Sequence, residues 1–261
     1  MSITIALAGK GGIGKTTIAG MVIKYLVSRQ AGPVLAIDAD PSSNLNMVLG
    51  LDLTWTVGDI REGLLSKVKT SLTAGGAAMG SLPGGLTKRE YLDYEIRSSL
   101  AEGKQFDLIA MGRSEGQGCY CAVNHNLREV VDDISRNYKY VVIDNEAGME
   151  HLSRRTTRDV QHLLIVTEPS QRGIVAAERI AGFRNEFDIN IEHAYLILNR
   201  ATNGIPEPIQ SRINELDIPL LGTIPVSEEI TELDYHGRPL IEVGEETDIY
   251  QKVSAMMLSI L

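Results

Sequence analysis

Cysteine is nearly missing from this chain: its 261 residues include two, Cys119 and Cys121, with only Tyr120 between them. A bridge between such close neighbours would be strained, because bridged cysteines usually hold their Cα atoms about 5.5–6 Å apart at a set dihedral. A disulfide-stapled fold is therefore excluded. Basic charge is short as well. Lys and Arg number 25 against 34 Asp and Glu, a formal net charge of −9, which argues against a broad nucleic-acid surface, since that needs clustered cations. No run approaches the roughly 20 apolar residues that span a bilayer, and Met1-Ser2-Ile3-Thr4 lacks the charged-then-apolar build of a secretory leader. Internal repeats and low-complexity tails are absent too. The expectation is a cytoplasmic chain that binds neither nucleic acid nor membrane.

What is present reads as one large α/β domain covering residues 1–261. Apolar residues make up 43% and charged residues 23%, ordinary values for a globular chain. Short apolar runs alternate with amphipathic segments, the pattern of βα units around a mostly parallel sheet flanked by helices. The runs hold Ile3, Ile5 and Leu7, then Val34–Ile37, Phe106–Met111, Tyr140–Ile143, Leu163–Val166, Tyr195–Leu198 and Pro219–Ile224. Ile18, Met21, Val22, Tyr25 and Leu26 recur at helical spacing directly after the first run. Thr87–Leu100 and Asn126–Asn137 also read as helices, and Thr70–Leu86, rich in Gly, Ser and Thr, reads as a surface loop. A last helix over Asp248–Leu261 carries Ile249, Val253, Met256, Met257 and Ile260 on one face. With Lys252 its lone cation, that stripe reads as core packing rather than a membrane-surface helix.

The strongest local signal is Gly9-Lys10-Gly11-Gly12-Ile13-Gly14-Lys15-Thr16, followed by Thr17. It fits the phosphate-loop pattern of two glycines spaced for a backbone cradle, then Lys and Thr. Average usage would produce it by accident about once per hundred chains of this length. Glycines let successive N–H groups turn inward without Cβ clashes, and the helix that follows aims its positive end at the same point. Lys15 is expected on the β- and γ-phosphates of ATP, and the Thr16 hydroxyl on Mg²⁺. Tyr140-Val141-Val142-Ile143-Asp144 is an apolar strand closed by a carboxylate. Asp144 is the expected partner of the same Mg²⁺, through water.

Lys10, a second lysine inside the loop, makes the motif resemble the deviant Walker A of the MinD/ParA/NifH/ArsA class of P-loop ATPases. That resemblance implies that Lys10 acts across a two-fold axis on the partner's nucleotide, and that ATP favours a closed homodimer. It further implies that Asp38-Ala39-Asp40-Pro41-Ser42-Ser43-Asn44 is the first switch. Asp40 would then orient the attacking water, with Asp38 and Asn44 helping near Mg²⁺ and the γ-phosphate. The second switch would be Asn145–Leu152, whose His151 reads as structural. Asn199 and Arg200 would meet the adenine edge, and the segment Ile224-Pro225-Val226 would close over the base.

Cys119 and Cys121 offer two thiolates where a closed soft-metal site needs four. A homodimer sharing them across its axis would supply the rest. Gly118-Cys119-Tyr120-Cys121, together with Asp144-Asn145-Glu146-Ala147-Gly148-Met149-Glu150-His151-Leu152, resembles the CooC family, nickel-insertion ATPases that mature carbon monoxide dehydrogenase, with a sister group serving acetyl-CoA synthase. The resemblance spans essentially the whole chain. It implies one Ni²⁺ or Zn²⁺ per dimer on the paired cysteines and a client nickel enzyme. Three alternatives fit less well. A nitrogenase-reductase-like iron–sulfur carrier would place a cysteine after the Asp144 strand, and Asp144–Leu152 has none. A ParA-type DNA switch wants a basic surface, and a MinD-type switch wants a basic amphipathic tail.

Overall fold

The computed structural model describes residues 2–73, 86–113, 121–146, 159–182, 190–202 and 204–261, with main chain alone over 68–73 and 121–124. Eight strands are described: β1 (Ile3–Gly9), β2 (Val34–Asp38), β3 (Ala101–Glu102), β4 (Phe106–Ala110), β5 (Tyr140–Asp144), β6 (Asp159–Thr167), β7 (Asn190–Asn199) and β8 (Leu220–Ile224). They form one sheet in the order β3-β4-β2-β5-β1-β6-β7-β8. Every pairing is parallel except β3 with β4. All seven apolar runs named above fall on strands of this α/β sheet.

Helices cover both faces, which explains why the central strands are apolar throughout rather than alternating. On one face lie α3 (Val57–Thr73), α4 (Lys88–Ser98), α5 (Cys121–Ser135), α6 (Gln171–Gly182) and α7 (Glu207–Asn214). They pack on Ala6, Ala8, Leu35, Ile37, Val141, Ile143, Leu163 and Ile165. The opposite face carries α1 (Lys15–Ser28), α2 (Leu45–Leu49), α8 (Glu228–Tyr235) and α9 (Asp248–Ile260), over Ile5, Leu7, Val34, Ala36, Tyr140, Val142, Leu164 and Val166. Alternate residues of β1, β2 and β5 thus feed two separate cores.

Two expectations about extent change. Thr70–Leu86 does not begin as a loop. Val57, Ile60 and Leu64, all buried, present an apolar face that drives α3 through Thr73, and 74–85 lie outside the described residues. The helix expected over Asn126–Asn137 starts at Cys121 and ends at Ser135. Thr87 is the N-cap of α4 and closes a capping box with Glu90: its hydroxyl accepts from the Glu90 N–H at 3.2 Å, and Glu90 accepts from the Thr87 N–H at 2.8 Å. The apolar stripe of α9 is core: Ile249, Val253, Met256 and Met257 are buried in the cluster that holds α1.

Candidate functional site

β1 lies at the middle of the sheet, between β5 and β6, and its carboxyl end opens into residues 10–14 before α1 starts at Lys15. Open parallel sheets bind ligands in such a crevice beyond the carboxyl ends of their strands. Gly9 is needed where the chain leaves the strand: its φ is 154°, and a Cβ there would stand 2.3 Å from the Val166 carbonyl oxygen of β6. The loop therefore presses its backbone against the neighbouring strand. Lys10, Gly11 and Gly12 are exposed, Ile13 is buried beneath them, and Gly14, Thr16 and Thr17 are half-buried.

Lys15 is buried, and its Nζ donates to the Lys10 carbonyl at 3.0 Å, folding the side chain back along the loop. Burial pushes the ammonium below its ordinary range, opposed by the carboxylates of Asp144, Asp40 and Glu146. Those carboxylates arrive from two chain segments, the ends of β2 and β5, so neighbouring strand ends converge on one lysine. Lys10 points away: its Nζ donates to the Arg172 carbonyl on α6 at 3.3 Å.

Asp38 and Asp144 close the adjacent strands β2 and β5 in direct register. Both are fully enclosed. Burial raises Asp38 to about 7; N–H groups donated by Leu45 and Asp40 oppose the rise and the neighbouring Asp144 adds to it. Asp144 is raised to about 6 by burial, against a hydrogen bond from Thr16 and the charge of Lys15. The two carboxylates are spent differently. Asp38 accepts the N–H of Asp40 at 3.1 Å on one oxygen and that of Leu45 at 2.9 Å on the other, so it shapes the segment after β2. Asp144 keeps one buried oxygen, Oδ1, with no hydrogen-bond partner among the described residues. A hidden oxygen of that kind is costly unless something binds it. Beside the Thr16 hydroxyl it supplies the hard oxygen donors that Mg²⁺ takes, so the residues present fit that ion. Asp40, half-exposed, accepts the Ser42 N–H at 2.8 Å.

Asn199 and Arg200 end β7 beside the glycine loop that opens α1 and hydrogen-bond its backbone. Asn199 Nδ2 donates to the Ile13 carbonyl at 2.7 Å, and the Arg200 guanidinium donates to that of Gly12 at 3.0 Å. The segment expected to cover the base, Ile224-Pro225-Val226, is close by. Asn199 pairs in register with Ile224, and the Val226 N–H reaches Thr202 Oγ1 at 3.4 Å. Pro225 is half-buried and Val226 is 57% exposed. Lys10, Lys15, Thr16, Asp38, Asp40, Asp144, Asn199 and Arg200 thus gather at one end of the sheet.

Asn145, which the sequence reading places at the start of the second switch without a contact of its own, is a buried member of this end. Its Nδ2 donates to the Leu7 carbonyl at 2.7 Å, while its Oδ1 is buried with no hydrogen-bond partner among the described residues. Its place directly after the Asp144 strand is the signal that could have drawn notice. The rest of the second switch with His151, from 147 onward, and Cys119 lie outside the described residues; Cys121 opens α5, its side chain likewise outside. Among the described residues no cluster of three His, Cys, Asp or Glu can hold a metal, and no helix is long and apolar enough to cross a membrane.

Comparison with known proteins agrees with this geometry. An uncharacterised ATP-binding protein of Methanocaldococcus jannaschii is 41% identical over 98% of both chains. The carbon monoxide dehydrogenase accessory protein CooC of Rhodospirillum rubrum is 29% identical over 98% of this chain and 95% of its own. In fold, the septum site-determining protein MinD of Pyrococcus horikoshii, solved with Mg-ADP, superposes with a TM-score of 0.67 at 21% identity, covering 100% of this chain and 96% of that one. The model of the CobQ/CobB/MinD/ParA nucleotide-binding domain matches residues 4–240, from the first strand past β8, and the chain belongs to that family.

Proposed function

We propose that this protein is an ATP-hydrolysing switch that closes as a homodimer and acts as a nickel-insertion accessory factor for carbon monoxide dehydrogenase or acetyl-CoA synthase. The observation that carries the ATPase part is the buried Lys15 among Asp144, Asp40 and Glu146, at the root of a glycine loop that opens a helix. Loop N–H groups and Lys15 bind the phosphates and hold them in line. Thr16 and Asp144, with Asp38 behind them, would hold Mg²⁺, which neutralises charge on the β- and γ-phosphate oxygens. Asp40 accepts a hydrogen bond from the attacking water and orients it toward the γ-phosphorus. Lys10 is exposed and tethered by one main-chain contact at 3.3 Å, so it is free to leave for the partner's triphosphate. Asn199, Arg200, Pro225 and Val226 form the adenine end of the site.

The finer part rests on the pair Cys119 and Cys121 and on similarity to CooC along 98% of the chain. Two half-sites of thiolate brought together by dimer closure would bind Ni²⁺ or Zn²⁺ as cargo, and linkage then makes metal and ATP favour the same closed state. A MinD-type positioning switch is the second reading, favoured by the fold likeness. Against it, the apolar stripe of α9 is already buried on α1 and is not offered to a lipid surface. The deciding experiment measures solution mass and bound metal with and without ATP, for the wild type and for Lys10→Ala. A dimer with one Ni²⁺ or Zn²⁺ that forms with ATP, and fails to form in Lys10→Ala, is the expected outcome. A monomer under every nucleotide and metal condition refutes the proposal.

A further inference from the structure

A phosphate loop works only if its N–H groups face the anion. Because each peptide unit is planar and trans, its carbonyl oxygen points opposite to the N–H of the next residue. A flipped unit would aim a carbonyl dipole at the phosphates, and glycines make such flips cheap. Glycines stand at 11, 12 and 14 here, so something outside the loop has to choose the orientation.

Two adjacent residues at the end of β7 are built to do so. Asn199 Nδ2 donates to the carbonyl of Ile13 at 2.7 Å, which turns the N–H of Gly14 the other way. The Arg200 guanidinium donates to the carbonyl of Gly12 at 3.0 Å, which does the same for the N–H of Ile13. The Asn199 amide is itself held, since its Oδ1 accepts the Arg200 N–H at 3.0 Å. Arg200 sits at φ 59°, in the left-handed region that a side-chain-bearing residue seldom adopts without support from its surroundings. Gly14 completes the fit: a Cβ there would lie 2.5 Å from Asn199 Nδ2, so glycine at 14 is required by the clamp as well as by its own φ of 94°.

Taking residues 9–17 as the phosphate site, we infer that Asn199 and Arg200 are positioning residues that act through the loop: they pin the carbonyls of Ile13 and Gly12 outward and so preset the N–H cradle before any base arrives. This differs from contact with adenine, because the clamp governs the affinity of a phosphate chain that has no base at all. The second hydrogen on Nδ2 and the second lone pair on Oδ1 stay available, so one amide can serve both ends of the nucleotide.

The test uses the full chain, titrated with Mg-ADP and, by competition, with inorganic tripolyphosphate. Asn199→Leu is nearly isosteric, adds no charge and cannot donate to Ile13. Losing one hydrogen bond of ordinary worth predicts tripolyphosphate affinity lower by about fivefold to tenfold, with ADP affected at least as much. Arg200→Gln, at an exposed side chain, is the second variant and should weaken tripolyphosphate in the same direction while the melting temperature holds. If either folded variant loses ADP affinity while tripolyphosphate binding is unchanged, the residue reads the base alone and the inference falls. It falls equally if the wild type binds ADP but tripolyphosphate, up to about 10 mM, does not compete, because a preset cradle must hold phosphates by themselves. A wild type that binds neither ligand and behaves like Lys15→Ala would instead overturn the phosphate-site reading on which this rests.

Discussion

Two enclosed carboxylates at the ends of neighbouring strands make the ligand-free protein sensitive to pH in an unusual direction. Burial lifts Asp144 from an ordinary 3.8 to about 6 and Asp38 from 3.8 to about 7. A raised folded-state value means that the folded chain holds these protons more tightly than the unfolded chain does. Stability is therefore highest below the unfolded value and is lost as pH climbs through the folded value, the reverse of a salt-bridged aspartate. For Asp144 a displacement of about two pH units is worth about 3 kcal/mol, at about 1.36 kcal/mol per unit. Asp144→Asn removes the charge and keeps an oxygen that can accept the Thr16 hydroxyl. Urea unfolding of wild type and variant in EDTA, without nucleotide, should give nearly equal stabilities at pH 4, with Asp144→Asn ahead by about 3 kcal/mol at pH 8. Added Mg-ADP should restore the wild type at pH 8 and leave the variant largely unmoved, because the variant lacks the anionic oxygen. A gap between the two proteins that stays constant from pH 4 to pH 8 refutes the argument that burial of this charge sets the cost.

Two further outcomes are expected. The double variant Cys119→Ala/Cys121→Ala should retain ATPase activity and lose stoichiometric metal; full Ni²⁺ binding, measured by elemental analysis after gel filtration, would disprove the thiolate assignment. Met257→Ala, at a position with no solvent exposure between α9 and α1, should cost about 2–5 kcal/mol in urea unfolding, the range for emptying a packed site of that size. A loss under 1 kcal/mol would mean that α9 is a loosely attached element.

Much of the fold was legible because parallel strands covered on both faces must be apolar at every position. Val34–Ile37 and Tyr140–Ile143 stood out as continuous runs, and the residues closing them, Asp38 and Asp144, marked the crevice. The two-residue β3 was not legible. Ala101 and Glu102 form a strand only because Leu108 and Asp107 lie antiparallel beside them. α3 was hidden by its Ser, Thr and Lys content, which outweighed the spacing of Val57, Ile60 and Leu64. At the site, Lys15, Thr16 and Asp144 followed from local motif and strand end. The grip of Asn199 and Arg200 on the loop did not, since it joins residues 186 and 188 positions apart and leaves no local trace.

The seating of α9 on α1 has a consequence for how the protein is born. Ser28 shares a hydrogen bond with Tyr250 at 2.5 Å, and Lys24 reaches the Ile241 carbonyl at 2.8 Å. The helix that begins with Lys15 is thus braced by stretches translated more than 200 residues later. Contacts this distant in the chain close slowly and late. A ribosome-tethered intermediate truncated before residue 240 would leave one side of α1 bare, so nucleotide should be captured only once the remaining segment has emerged and docked. Nascent chains of graded length, assayed for ATP retention, would show an abrupt gain over that final stretch.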